Sequence, residues 1–230
     1  MLMITRIYGT LIFMAASAVL TFNPLTYRHR LVRQSALQEI GARCLPILPG
    51  FLLVSSFISL VIVQIVTATA VSYGLSQFAV EVLVRSLILE LIPLYVSLFV
   101  LIRIALPMAY ALSTGPLRLD SEQLRERLVP HAASCLFAIV LLTLLASLIA
   151  LTISYLTVFG FSPWGLPEFT ASIGRIFDPS LAIVFMGKAF FFGLTIVFLP
   201  LSIPVGRQDL AVLFGILLLI EAVSLVALYY

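Results

Sequence analysis

The sequence predicts an all-α polytopic membrane protein, with five transmembrane helices preceded by an N-terminal interfacial amphipathic helix. Three observations carry this. The 230 residues are 62% hydrophobic and 10% charged, with a mean hydropathy of +1.21, whereas soluble domains are about 25% charged and at most about half apolar. The apolar residues form runs that reach the roughly 20 residues needed to cross a bilayer core. The 13 basic residues gather in a few places. A chain of this size has room for one membrane domain, and no polar stretch is long enough for an attached soluble catalytic domain. Any nucleotide-driven process would place its ATPase on another chain.

Taken in order, residues 1–44 read as a cytoplasmic and interfacial N-terminal region and residues 45–230 as the membrane domain. Residues 1–22 are apolar with one early arginine, Arg6. They read as a helix lying in the cytoplasmic interface, because Arg28, Arg30 and Arg33 follow closely and suit anionic head groups. A sixth span, or a cleaved signal with Ala16-Ser17-Ala18 at its cleavage site, are the alternatives. The five spans are expected at 45–70, 78–112, 130–158, 179–203 and 210–230. The second exceeds what a bilayer requires, so it should tilt or project. Pro and Gly mark most connectors, as turns require.

Orientation follows the basic residues. Arg6, Arg28, Arg30, Arg33, Arg43, Arg118, Arg125, Arg127 and Arg207 fall on one side, and Arg175 alone on the other. The N-terminus is therefore expected in the cytoplasm and the C-terminus outside. Trp164, in Phe161-Ser162-Pro163-Trp164-Gly165, reads as an outer interface anchor. Cys44 and Cys135 lie at predicted helix ends on the cytoplasmic side, where thiols stay reduced, and read as small apolar filler. His29 and His131 stand alone in the sequence, and no Cys/His cluster has metal spacing.

Charges inside a bilayer cost about 2.5–3.5 kcal/mol each on insertion scales, so each asks for a reason. Glu90 and Arg103 share the second span. Thirteen residues of helix separate them by roughly 20 Å, too far to pair. Lys188 in the fourth span and Glu221 in the fifth can meet Glu90 at similar depth. Two carboxylates and an ammonium there form either an ion-pair network that locks helices together or the lining of a hydrated substrate path. Arg85 and Arg103 read as snorkelling toward opposite surfaces. No P-loop, potassium-channel filter or inverted repeat is present, and no Ser/His/Asp or Glu/His constellation sits in a span.

The stretch from Tyr73-Gly74 through Ser86-Leu87-Ile88-Leu89-Glu90-Leu91-Ile92-Pro93 to Arg103 resembles the MlaE/YrbE permease family. The family pattern is Phe-Gly, then Ser-Leu-x-Arg-Glu-Leu-Gly-Pro, then Gly-Arg with the Arg thirteen positions after the Glu. This chain keeps Gly74, Ser86, Glu90, Pro93 and Arg103 at that spacing. Leu31-Val32-Arg33-Gln34 and Ile40-Gly41 to Leu45-Pro46-Ile47 resemble the family's entry into its first span. Gly187-Lys188-Ala189 with Phe192-Gly193 resembles its fourth-span motif, and Glu221 falls where its last helix often carries an acid. The likeness covers roughly residues 30–230.

The resemblance implies five transmembrane helices after an interfacial helix. It implies a permease subunit of an ABC transporter, itself no enzyme, that moves phospholipids or other hydrophobic molecules between a bacterial inner membrane and an outer envelope layer. The lipid would sit in an intersubunit cavity of a homodimer or of a heterodimer with a second permease. A cytoplasmic ABC ATPase and an MCE-domain protein would be its partners, with ATP and Mg on the ATPase, no cofactor or metal on this chain and no nucleic acid. Carried over, Glu90, Lys188, Arg103 and Glu221 are candidates for the polar part of the lipid path, and Leu117, Arg118, Leu124, Arg125 and Arg127 for coupling to the ATPase. The chain departs from the pattern at Leu89 and Ile102, which replace Arg and Gly, and at Ile104, Leu106 and Pro107, which replace small residues. Its loop over residues 113–127 is short, and the Gly-rich segment after the fourth span has shrunk to Pro204-Val205-Gly206-Arg207. A degenerate scaffold paired with an active homologue, and a small ion-coupled transporter using Glu90 and Glu221, are the competing readings.

Overall fold

The computed structural model describes residues 30–75, 78–107, 121–202 and 207–229, together with isolated positions at Ala15, Ala18, Val19 and Thr21. The described stretches hold α1 (Arg30–Ser72), α2 (residues 79–105), α3 (Ser121–Phe159), a 3₁₀ turn (Pro163–Gly165), α4 (Leu166–Ile176), α5 (Pro179–Ser202) and α6 (Arg207–Tyr229). There is no strand among the described residues, so the chain is an all-α polytopic membrane protein. Four stretches are long and apolar enough to cross a membrane: Val32–Ser72, Ala79–Ala105, Leu128–Phe159 and Pro179–Phe198. In α6, 23 residues long, the described apolar stretch is Phe214–Ser224. The three readings of residues 1–22 fall outside the described residues apart from the isolated positions.

Two helices begin earlier than their hydropathy predicts. The first was expected from residue 45 but starts at Arg30 and runs unbroken through Pro46 and Pro49. The third was expected from residue 130 but starts at Ser121 and contains Pro130. The third span was expected to open at Pro130, and Pro46 lies one residue after the expected start of the first. Proline is tolerated inside membrane helices because neighbouring groups re-satisfy the freed backbone. At 43 and 39 residues, α1 and α3 are about 65 Å and 58 Å long, well beyond a hydrocarbon core of about 30 Å.

The α1–α3 pair is the most extensive contact in the bundle, and small residues explain it. On α1 the buried stripe includes Cys44, Ser55, Ser59 and Val63; on α3 it includes Ala132, Cys135, Ala138, Ala146, Ala150 and Ser154. Spacings of three and four put each set on one face. Short side chains let the backbones approach, which is how membrane helices gain packing without a hydrophobic driving force. Ser55 and Tyr95 share a hydrogen bond of 2.8 Å that fastens α2 to α1, and Phe51 packs on Tyr95 and Phe99 beside it.

The turns are chemically specified. After α1, Gly74 at φ +71° donates to the Val71 carbonyl (3.0 Å) while Leu75 donates to that of Ala70 (2.8 Å), the paired bonds of a Schellman cap. Gly160 closes α3 at φ +64° with a single bond to Leu156. The connector after α3 holds a helix that hydropathy did not reveal. In α4, Phe169 packs edge-on against Tyr155 and Phe159 with ring centroids 5.2 and 6.0 Å away. Its outer face is polar or exposed, so no long apolar run marks it.

Candidate functional site

The site is built where α2, α5 and α6 meet. Helix α2 is not uniform. Residues Ala79–Leu83 are α-helical, Val84–Leu91 form a π-helical stretch, Ile92–Val100 return to α, and Leu101–Ala105 are again π. The first π stretch carries Glu90 and the second carries Arg103. Such widened turns inside helices are rare and concentrate at functional sites.

Pro93 supplies a local reason for irregularity. In an α-helix the Leu89 carbonyl would accept from the N–H of residue 93, and proline has none. Lys188 Nζ on α5 donates to that carbonyl at 3.2 Å. The same ammonium is bonded to Glu90 Oε2 and lies 2.9 Å from Glu221 Oε1 on α6. Its three N–H donors therefore meet three acceptors on two helices. The Lys188 side chain is 1% exposed and those of Glu90 and Glu221 are 11% and 12% exposed. Glu90 Oε1 and Glu221 Oε2 are buried and have no hydrogen-bond partner.

Close packing positions α5. A Cβ placed on Gly193 would lie 2.7 Å from Leu136 Cδ2, so this glycine lets α5 approach α3. Six residues earlier, Gly187 has nothing within 4 Å of an added Cβ. It borders two grooves. One, of about 820 Å³, runs between α3 and α5 past Phe137, Val140 and Ile183. The other, of about 400 Å³, runs between α5 and α6 past Phe191, Leu219 and Val223, with Lys188 and Ser224 in its lining.

The sequence-predicted residues divide accordingly. Glu90, Lys188 and Glu221 come together. Arg103 does not join them; its side chain is exposed on the surface of the bundle. Arg85 pairs with Glu81 at 3.2 Å, one helical turn away. Leu117 and Arg118 lie outside the described residues. Leu124, Arg125 and Arg127 belong to the first turns of α3, so residues 121–127 continue into the span without forming a separate helix.

Sequence reasoning missed a second polar cluster, between α1 and α3. Arg43 Nε lies 3.4 Å from Glu39 Oε2, and His131 Nδ1 lies 4.0 Å from the same oxygen. His131 Nε2 is 3.6 Å from Cys135 Sγ, and Cys44 donates to the Ser134 carbonyl at 3.7 Å. His131, which stands alone in sequence, is fully buried here. The available signal was a pair of i,i+4 couples, Glu39/Arg43 and His131/Cys135, in helices that run in the same direction. No group of three metal-capable side chains forms among the described residues.

No curated protein and no solved structure matches the chain. The family model described as Permease MlaE matches residues 31–203, which include Glu90, Arg103 and Lys188. The chain thus belongs to the MlaE permease family, and is a multi-pass membrane protein that serves as the permease subunit of an ABC-type transporter.

Proposed function

We propose that this permease moves phospholipids or related hydrophobic molecules between a bacterial inner membrane and an outer envelope layer. The substrate would be held in a cavity between two permease subunits. In this reading α6 is the fifth crossing, the N-terminus is cytoplasmic and the C-terminus periplasmic. ATP and Mg act on a partner ATPase, an MCE-domain protein docks on the outer side, and the second permease is a copy or a homologue.

The observation that carries the reading is the Lys188 triad inside an apolar bundle, beside two apolar grooves. A purely structural permease has no need of three charges there, since each costs several kcal/mol to bury. Polar groups at depth beside apolar grooves match the two ends of an amphiphile. The bonds from Lys188 to α2 and to α6 also make the triad a latch. Parting α5 from either helix breaks a charge-assisted bond, so cavity opening and headgroup contact are coupled at one residue.

The test is a gentle pull-down of the tagged chain from its native membrane, with mass spectrometry of proteins and lipids. An ATPase, an MCE-domain protein and co-purifying phospholipid are expected, and the subunit ratio identifies the second permease. A chain recovered without ATPase or lipid would overturn the reading.

A further inference from the structure

Glu90 and Glu221 are bonded to the same atom. Lys188 Nζ holds Glu90 Oε2 and lies 2.9 Å from Glu221 Oε1. The two carboxyl groups are thereby brought against each other, within hydrogen-bonding reach. Their remaining oxygens, Glu90 Oε1 and Glu221 Oε2, are buried and have no donor. Lys188 has none to spare, since its third N–H goes to the Leu89 carbonyl. A buried acceptor without a donor is costly, more so when charged, and a native structure seldom retains one without a reason.

The charges do not balance if both acids are ionised. Two carboxylates against one ammonium leave a formal charge of minus one. Among the described residues, the charged groups that act on Glu221 are Glu90 and Lys188. On α2, Arg85 is paired with Glu81, and Arg103 is exposed on the surface of the bundle. On α3, His131 is engaged with Glu39 and Cys135 on the side of α1. No second cation therefore reaches the two acids among the described residues.

One proton answers both shortfalls. Placed between the two free oxygens, it makes one of them a donor to the other and brings the triad to neutrality. Carboxyl groups that share a site too closely to ionise together resolve the conflict in this way. We infer that the triad is a proton-binding site, in which Glu90 Oε1 and Glu221 Oε2 hold one proton between them. The shared proton ties α6 to α2 by a bond that does not pass through Lys188. The inference does not depend on which molecule the permease carries. A water that donates to both oxygens is the competing answer; it leaves the charge at minus one and both acids ionised.

Infrared spectroscopy separates the two answers, because the carbonyl stretch of a protonated carboxyl group is distinct from that of a carboxylate. The sample is the full-length protein in an ester-free detergent at about pH 8, where an exposed acid holds no proton. One protonated carboxyl group per chain is expected, with a band that shifts in D₂O and on labelling with isotopic glutamate. Glu90→Gln and Glu221→Gln should each abolish it, because the amide supplies the missing donor and the remaining carboxylate pairs with Lys188. Glu39→Gln, at the half-buried acid of the α1–α3 cluster, should leave it in place. No protonated glutamate in the wild type would overturn the inference and favour the water. A band that survives either substitution in the triad, or that disappears with Glu39→Gln, would overturn it as well. The absence of a wild-type band is decisive on its own, and either triad variant suffices to assign a band that is present, so one variant that fails to fold leaves the test standing.

Discussion

Replacing Lys188 with methionine keeps most of the side-chain volume and removes the ammonium. Two buried carboxylates then face each other without a counter-charge, and the Leu89 carbonyl loses its donor. Removing one partner from a buried ion pair costs about 3–5 kcal/mol, because the remaining charge is uncompensated. The side chains here are 1–12% exposed, so little solvent screening reduces that figure. Glu221→Gln is milder. Lys188 keeps Glu90 and the Leu89 carbonyl, and the loss is that of one charged hydrogen bond, about 1.5–3 kcal/mol. The triple variant Glu90→Gln/Lys188→Met/Glu221→Gln removes every charge, and neutral replacement of a buried ionic group is often close to neutral for stability. The expected order of stability is wild type, then the triple variant within about 1–2 kcal/mol, then Glu221→Gln close to it, then Lys188→Met at the bottom. Reversible unfolding in mixed detergent micelles, followed by circular dichroism, measures it. Lys188→Met within about 0.5 kcal/mol of wild type, the range of an ordinary surface change, would refute the reasoning. So would a triple variant less stable than Lys188→Met, because it would show that the two carboxylates are not left uncompensated when the ammonium is removed.

Three further outcomes follow from other parts of the bundle. Gly193→Val should destabilise by about 1–3 kcal/mol through overpacking against Leu136, whereas Gly187→Ala should be neutral or stabilising by up to about 1 kcal/mol; thermal melts of the two proteins compare them directly. Tyr95→Phe should cost about 1–3 kcal/mol by leaving Ser55 unpaired, and adding Ser55→Ala should recover part of that loss; a double-mutant cycle showing strict additivity would disprove the coupling. Cys44 and Cys135 are 3% and 0% exposed, so maleimide labelling in the native membrane should be slow and should become complete in denaturing detergent; rapid labelling without denaturant would show that the α1–α3 contact opens.

The positions of the four long apolar stretches were legible because bilayer thickness imposes a length and a composition on each. Helix starts were less so. Hydropathy marks where the hydrocarbon begins, and α1 extends 15 residues before position 45 through the charged Arg33, Glu39 and Arg43. Charged residues at i and i+4 support one another on a helix, and Glu39 and Arg43 do so here. Helix α4 was hidden for the opposite reason. It is short, amphipathic and fixed by the Tyr155, Phe159 and Phe169 rings, a tertiary contact between segments that sequence order alone does not join.

The triad was legible as three expensive charges at compatible depth, but depth does not fix azimuth. A regular helix turns 100° per residue, so Glu90 and Arg103, thirteen positions apart, would differ by about 140°. The two π stretches each shift that register. They lie on either side of the segment Ile92–Val100, which packs toward α3 and α5. Glu90 emerges facing α5, and Arg103 emerges on the exposed surface. The shared motif therefore does not put the two residues on one polar path, since even a straight helix would hold them on different faces. Pro93 connects this geometry to the charge. By withholding an N–H from Leu89 it leaves an acceptor beside Glu90, and an ammonium placed to satisfy that carbonyl is also placed to pair with the acid. Pro93→Ala consequently perturbs the triad without touching a charge. It offers the Leu89 carbonyl a backbone donor, weakens its claim on Lys188, and should shorten the π stretch. Backbone amide exchange across Val84–Leu91 should slow in that variant as the ladder becomes α-helical; unchanged exchange would show that the widened turn is held by packing against α3 and α5 and not by the missing donor.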